Sequence, residues 1–158
     1  MITVKFTVTE YLAEYLYAKY NNHDFTAPIR LPDNSDLYHV LYDLTSKPPS
    51  KLRPSSGNVE LILPHRDRGK QPDTYNCVSA KSAKIFARHV KNIFNAELHD
   101  FIDEKYHRRG MLYSEAVNLF VNKYGLTAIG EDAIRKNYYR WKERRKKYRQ
   151  SGYDVNSR

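Results

Sequence analysis

The sequence predicts an α+β fold with a small N-terminal α/β region containing short strands, a long central helix and a C-terminal helical module. Three observations predict it. Apolar and polar residues alternate at the start of the chain, apolar residues recur every three or four positions over its middle, and two more helical patterns follow around a glycine-containing connection. A chain of 158 residues suits one compact domain, or a domain with a small appended module.

Short strands are predicted in two places near the N-terminus. Residues 2–8 alternate apolar and polar side chains, which is the period of a half-buried strand, and residues 59–63 are rich in strand-forming types. A helix is predicted between them, with Thr9 as its cap and an apolar pattern that ends near Asn21. Residues 28–32 are bounded by prolines, so only a short extended piece is expected there.

A second helix and two loops complete the N-terminal region. Polar residues 33–36 offer caps for this helix, and its apolar face is formed by Leu37, Tyr38, Val40, Leu41 and Leu44. Residues 47–57 have the composition of a loop. Residues 65–73 are basic and lack apolar periodicity, which predicts a mobile basic loop.

The longest helical pattern runs over about 79–106, and Ser79 is its expected start. Its wide apolar stripe consists of Ile85, Phe86, Val90, Ile93, Phe94, Leu98, Phe101 and Ile102. Residues 107–110 supply a stop. We therefore expect an N-terminal region over residues 1–110, a C-terminal module over 111–150 and a flexible tail over 151–158.

The C-terminal module is predicted as two helices. Ser114 and Glu115 start the first, which ends near Gly125, and a six-residue connection over 125–130 leads to the second. Residues 131–149 hold nine Lys or Arg residues and three acidic ones, so they carry six of the nine net positive charges of the chain. An apolar stripe on this second helix is formed by Ile134, Tyr138, Trp141 and Tyr148.

A localised cationic helix surface favours a partner made of phosphates, since release of condensed counterions drives such binding. Nucleic acid is therefore the expected partner, with duplex DNA favoured. The candidate contact residues are Arg135, Lys136, Tyr139, Arg140, Lys142, Lys146 and Arg149. Tyr139 is the aromatic ring expected to be exposed, which leaves stacking on a single strand as an alternative. The cations could also belong to a solvated helix end, or recognise an acidic protein in an adaptor or assembly role.

Residues 112–149 resemble the helix-turn-helix modules of phage and mobile-element DNA-binding proteins, including the Mor-type transcription activators. The resemblance rests on Ala116, Val117, Phe120, Gly125 and Ile134. It implies that the second helix enters a major groove with its N-terminal half nearest the bases, and that the protein acts in transcription regulation or a mobile-element process. It also implies a possible homodimer on paired half-sites. The connection here is longer than the usual turn of this motif.

Composition restricts the setting of the protein. Cys77 is the single cysteine, so no intramolecular disulfide can form and a reducing cytoplasm is expected. Neither a signal peptide nor an apolar run of membrane-spanning length is recognisable, which predicts a soluble protein without membrane contact. No cofactor and no metal are expected, because the six histidines are scattered outside any metal-ligand spacing.

Two short constellations could suggest an enzyme, and neither predicts one. The residues His65-Arg66-Asp67 match the core of a kinase catalytic loop, but no glycine-rich phosphate loop or metal-binding Asp-Phe-Gly accompanies them. A second group, His99, Asp100, Asp103 and Glu104, could serve a metal-dependent nuclease or recombinase, which is the third functional alternative. We expect these four residues instead to mark the exposed side of the long helix, and we expect a protein that is not an enzyme.

Overall fold

The structure, a computed structural model, describes the backbone of residues 1–51 and 55–156, and the side chains of this range through Arg149. Within these residues the fold is α+β and mostly helical, with five α-helices and a two-stranded sheet. The predicted fold class is therefore confirmed. None of the described helices is both long enough and apolar enough to cross a membrane.

The sheet forms from the two predicted strands. β1 spans Thr3–Phe6 and pairs antiparallel with β2, Val59–Ile62, in a register that places Val4 opposite Leu61. The other edge of β2 is extended by Ile29, which makes a parallel bridge with Leu61. The Ile29 amide donates to the Glu60 carbonyl at 2.8 Å. The predicted extended piece over 28–32 is thereby confirmed.

Two helices lie between the strands in sequence. In α1, Glu10–Asn21, Thr9 occupies the predicted cap position, but its side chain makes no capping hydrogen bond, and its carbonyl accepts from Leu12 and Ala13. In α2, Asp36–Leu44, the Ser35 hydroxyl accepts from the Tyr38 amide at 3.2 Å. Of the predicted apolar face of α2, Leu37, Tyr38 and Leu41 are buried, whereas Val40 and Leu44 are half-buried.

The basic loop over 65–73 is tied to the end of α2. The Lys70 ammonium group donates to the carbonyls of Asp43 and Thr45, each at 2.8 Å. The Arg66 guanidinium lies 3.9 Å from the centre of the Tyr42 ring. Cations at a helix C-terminus satisfy its unpaired carbonyls and interact favourably with its dipole. Two cations of the loop predicted to be mobile therefore have a structural role.

The described chain divides into two compact units, Met1–Phe94 and Asn95 onward. The boundary falls inside α3, Ala80–Asp103, whereas the sequence placed it near residue 110. A single apolar stripe explains this difference, because its first half contributes Phe86, Val90 and Phe94 to the first core and its second half contributes Leu98 and Ile102 to the second. In the first unit, the Phe6 and Phe86 rings meet edge to face at 4.9 Å.

The end of the long helix differs from its predicted form. The helix opens as expected, because the Ser79 hydroxyl accepts from the Ser82 amide at 3.1 Å. It was predicted to run to about residue 106, but α3 ends at Asp103 and the next five residues, Glu104–Arg108, wind as a π-helix. Gly110 then adopts a φ of +64°, and the Met111 amide returns to the Lys105 carbonyl at 3.0 Å.

Two helices complete the second unit. α4 spans Tyr113–Tyr124 and α5 spans Glu131–Asn156, so the connection over 125–130 has the predicted six residues. Residues 151–156 of the predicted flexible tail have helical backbone. Residues 157–158 of that tail lie outside the described residues.

Candidate nucleic-acid interface

The turn between α4 and α5 is built by one glycine and one buried leucine. Gly125 ends α4 with a φ of +58°, a left-handed conformation that glycine adopts without steric cost. The following Leu126 is buried, and its amide donates to the Val121 carbonyl at 3.0 Å. This pairing satisfies a helix-end carbonyl and directs the chain into the connection that precedes α5.

The inner face of α5 is apolar over its first two turns. Ile134 and Tyr138 are buried, as predicted, together with Ala116, Val117 and Phe120 of α4. Trp141 is partly buried, and its ring stacks on the His99 imidazole with centroids 4.5 Å apart. The prediction that Tyr148 continues this stripe is wrong, since its side chain is 84% exposed.

Polar contacts hold α5 against the last turns of α3. The Tyr138 hydroxyl donates to Asp103 Oδ1 at 2.5 Å, and Arg145 donates to Asp103 Oδ2 at 3.2 Å. Burial, and then the hydrogen bond to Asp103, raise the pKa of Tyr138 well above the usual range, so the hydroxyl stays protonated as a donor. One carboxylate therefore anchors two residues of α5.

A second polar chain also connects the helices. His99 Nε2 lies 2.8 Å from Asn137 Oδ1, which can only accept, so the imidazole donates this hydrogen bond. The Asn137 amide nitrogen in turn donates to Asn95 Oδ1 at 2.9 Å. Burial lowers the pKa of His99, with the Asn137 hydrogen bond opposing this shift. The neutral imidazole is thus the form that the packed helix pair favours.

The expectation that His99, Asp100, Asp103 and Glu104 mark an exposed side is wrong for two of the four. His99 is 7% exposed, and Asp103 is half-buried with both oxygens engaged, whereas Asp100 and Glu104 are exposed. α5 covers this side of α3, which the periodicity of α3 alone could not reveal. Among the described residues, no group of three or more His, Cys, Asp or Glu side chains is arranged to hold a metal ion.

Three of the seven candidate contact residues have partners within the second unit. Lys142 donates to the Tyr113 hydroxyl at 2.9 Å, and this hydrogen bond raises the pKa of Lys142. Lys146 lies 3.7 Å from a Glu143 carboxylate oxygen. Tyr139 is 41% exposed, as predicted, and its ring lies 5.4 Å from that of Tyr113.

The other four candidates carry charges that no acidic side chain among the described residues neutralises. Arg135 is half-buried, and Lys136, Arg140 and Arg149 are exposed. Residues four and seven positions apart share a helix face, so Lys147 joins Lys136 and Arg140 in one outward row. Sequence reasoning missed Lys147 as a candidate, although its spacing from Arg140 was available. The outer row of α5 is therefore Lys136, Arg140 and Lys147.

Arg144 and Arg145 were also left out of the predicted set, and the structure separates them. Arg145 binds Asp103 and lies 5.2 Å from the centre of the Trp141 ring, so its charge has a structural role. Arg144 is exposed, and its Nε donates to the Arg140 carbonyl at 3.4 Å. Adjacent arginines in the sequence thus have different roles because a helix directs them 100° apart.

The fold defines an α+β, mostly helical protein whose last helix is apolar on one face and cationic on the other. Comparisons with protein-family models, with curated proteins and with solved structures found no match to this chain.

Proposed function

We propose that this protein binds nucleic acid, with duplex DNA as the favoured partner, through the exposed cationic surface of α5. The observation that carries the proposal is the division of α5 into two faces. Ile134, Tyr138 and Arg145 are committed to packing and to Asp103, whereas the outer row has no acidic partner among the described residues. A surface with uncompensated cations attracts phosphates and releases their counterions on binding.

Duplex DNA is favoured over a single strand by the placement of the aromatic rings. Tyr138 is buried and Trp141 is stacked on His99, so neither ring is available to a base. Tyr139 and Tyr148 are the exposed rings on α5 within the described residues, and their separation of nine positions places them on opposite sides of the helix. Single-strand binding usually combines several stacked bases with a basic groove, whereas an α-helix with an exposed cationic side suits a major groove.

A role in transcription regulation or in a mobile-element process belongs to the same proposal. It rests on the resemblance of residues 112–149 to helix-turn-helix modules, and on the pairing of α4 with α5 through the turn at Gly125. Homodimerisation on paired half-sites is part of this hypothesis. A cytoplasmic location is also part of this hypothesis, and the single cysteine, Cys77, is the feature that supports it.

The test uses fluorescence anisotropy with labelled duplex DNA, single-stranded DNA and RNA of mixed sequence, over a salt series from about 50 mM, where non-specific binding is strong enough to measure. The test variant is Lys136→Gln/Arg140→Gln, and the matched control is Arg88→Gln/Lys91→Gln, which removes two exposed charges from α3. We expect the α5 variant to weaken duplex binding and to reduce the salt slope by about 2. Equal slopes for the two variants would contradict the proposal.

An adaptor or assembly function is the second candidate, and two exposed leucines favour it. Leu112, which directly precedes α4, and Leu119 of α4 are 63% and 43% exposed. Leu119 lines a surface hollow of about 490 Å³ together with Met111, Ser114, Glu115, Asn118 and Glu131. A pulldown with and without nuclease distinguishes the candidates, because a protein partner that remains after nucleic acid is digested supports the adaptor role.

A further inference from the structure

A run of basic residues that the predicted interface did not include lies at the end of the π-helical segment. His107 and Arg108 are its last two residues, Arg109 follows it directly, and all three are exposed. π-Helical turns are rare and often occur at functional sites. The segment belongs to the same unit as α4 and α5 and contacts α4.

A row of tyrosine rings connects this segment to α5. The Tyr106 ring of the π-helix stacks on the Tyr113 ring of α4 at 4.0 Å, with 10° between their planes. The Tyr113 ring also lies 5.4 Å from the Tyr139 ring of α5. Lys142 contacts two members of the row, since its ammonium group donates to the Tyr113 hydroxyl and lies 5.9 Å from the centre of the Tyr106 ring.

The row fixes which side of α5 the segment lies beside. Arg135, Tyr139, Lys142 and Lys146 are spaced by four, three and four residues, so they form one flank of α5. Tyr139 of this flank is a member of the tyrosine row, and Lys142 contacts Tyr113. The part of the π-helical segment that holds Tyr106 therefore lies beside the flank, and Arg108 and Arg109 follow Tyr106 by two and three residues.

The two arginines of the segment are not neutralised by the acidic residues before them. Asp103 is engaged by Tyr138 and Arg145, and it lies 3.9 Å from His107. No hydrogen bond or ion pair joins the guanidinium group of Arg108 or Arg109 to any described residue. A helix C-terminus stabilises nearby cations, which is a structural reason for one such residue. It does not require two adjacent exposed arginines.

We propose that Arg108 and Arg109 form a phosphate clamp that binds the sugar-phosphate backbone of the duplex beside the groove occupied by α5. This inference rests on the proposed DNA-binding function and deepens it. The clamp fixes how the protein lies on the duplex, while the N-terminal half of α5 faces the bases, because phosphate contacts set register and orientation and base contacts set specificity. The tyrosine row holds the clamp at a constant distance from α5.

The test compares three double variants by anisotropy on the same mixed-sequence duplex over the salt series. They are Arg108→Gln/Arg109→Gln in the clamp, Lys136→Gln/Arg140→Gln in the outer row, and the control Arg88→Gln/Lys91→Gln. We expect the clamp variant to reduce the salt slope by about 2 and to weaken binding by roughly tenfold or more at low salt. Arg108→Lys/Arg109→Lys keeps both charges and is expected to restore the slope.

The outcomes separate this inference from the proposal on which it rests. If the outer-row variant loses slope and the clamp variant matches the control, the clamp is overturned and DNA binding by α5 stands. If the wild-type protein binds no duplex at low salt, both are overturned. Thermal unfolding of each variant at the wild-type temperature establishes that a lost salt slope reflects lost phosphate contacts. If the clamp variant loses slope because it unfolds, Arg108→Lys/Arg109→Lys decides: failure of this variant to restore binding overturns the clamp.

Discussion

The Tyr138 hydroxyl donates a 2.5 Å hydrogen bond to Asp103, and this contact joins the N-terminal half of the cationic helix α5 to the last residue of α3. The same carboxylate receives Arg145 two turns further along α5. Asp103 is also the residue after which α3 becomes π-helical. Asp103 therefore both contacts α5 and marks the position at which the helix type changes.

Tyr138→Phe is expected to lower the free energy of unfolding by about 1–2 kcal/mol. The buried ring keeps its packing, but Asp103 loses a hydrogen-bond donor that burial makes costly to leave unreplaced. Urea unfolding measures the change. Tyr139→Phe is the matched control. Because the Tyr139 side chain is exposed, removal of its hydroxyl group should change the free energy of unfolding by less than about 0.5 kcal/mol. Equal effects of the two substitutions would show that the Asp103 contact contributes nothing.

Arg145→Gln is expected to destabilise the protein more than Arg144→Gln does. Arg145 pairs with Asp103 at 3.2 Å, whereas Arg144 is exposed. Both side chains of the pair are partly in water, so solvent screening limits the loss to about 0.5–1 kcal/mol. Thermal unfolding at low and high salt measures it, because the difference between the variants should shrink as salt rises. A difference that does not depend on salt would point to lost packing on Trp141 instead.

Stability is expected to fall as pH falls below about 6.5, the ordinary pKa of histidine, because burial lowers the pKa of His99 in the folded protein. Between these two pKa values the unfolded chain binds the proton and the folded protein does not. The contribution of the neutral imidazole is therefore complete above about pH 6.5 and is lost as pH falls towards the lowered pKa. Urea unfolding from pH 7.5 to 5.5 tests this. His99→Gln should show a weaker pH dependence, and an unchanged one would exclude His99 as the cause.

Gly57→Ala is expected to destabilise the first unit by about 3 kcal/mol through steric overlap. A Cβ atom at this position would lie 2.6 Å from the Phe6 Cα and closer still to the Phe6 carbonyl group. Because these are backbone atoms at the end of β1, no side-chain rotation relieves the overlap. Gly130→Ala is the control, since a Cβ atom there has no heavy atom within 4 Å. Chemical unfolding measures the stability of both variants, and equal losses of stability would contradict the steric explanation.

Periodicity predicted the helices and strands because each of them buries one face, and a buried face imposes its spacing on the chain. The alternation before Phe6 predicted β1, and the three- and four-residue spacing from Phe86 to Ile102 predicted α3. Glycine marked the turn at Gly125 because a left-handed residue was required there. The antiparallel register and the bridge at Ile29 were not predictable, since they depend on which segments meet in space.

For the candidate interface, the sequence by itself determined that α5 is cationic, that Ile134 and Tyr138 face inward and that Tyr139 faces outward. These properties follow from charge count and helical period. Only the tertiary structure decided which cations remain available, because that depends on partners distant in the chain. Asp103 engages Arg145, Tyr113 engages Lys142, and the Tyr106 ring of the π-helix stacks on Tyr113. A helical period assigns each side chain a direction, but the neighbours that it meets there are set by how the whole unit packs.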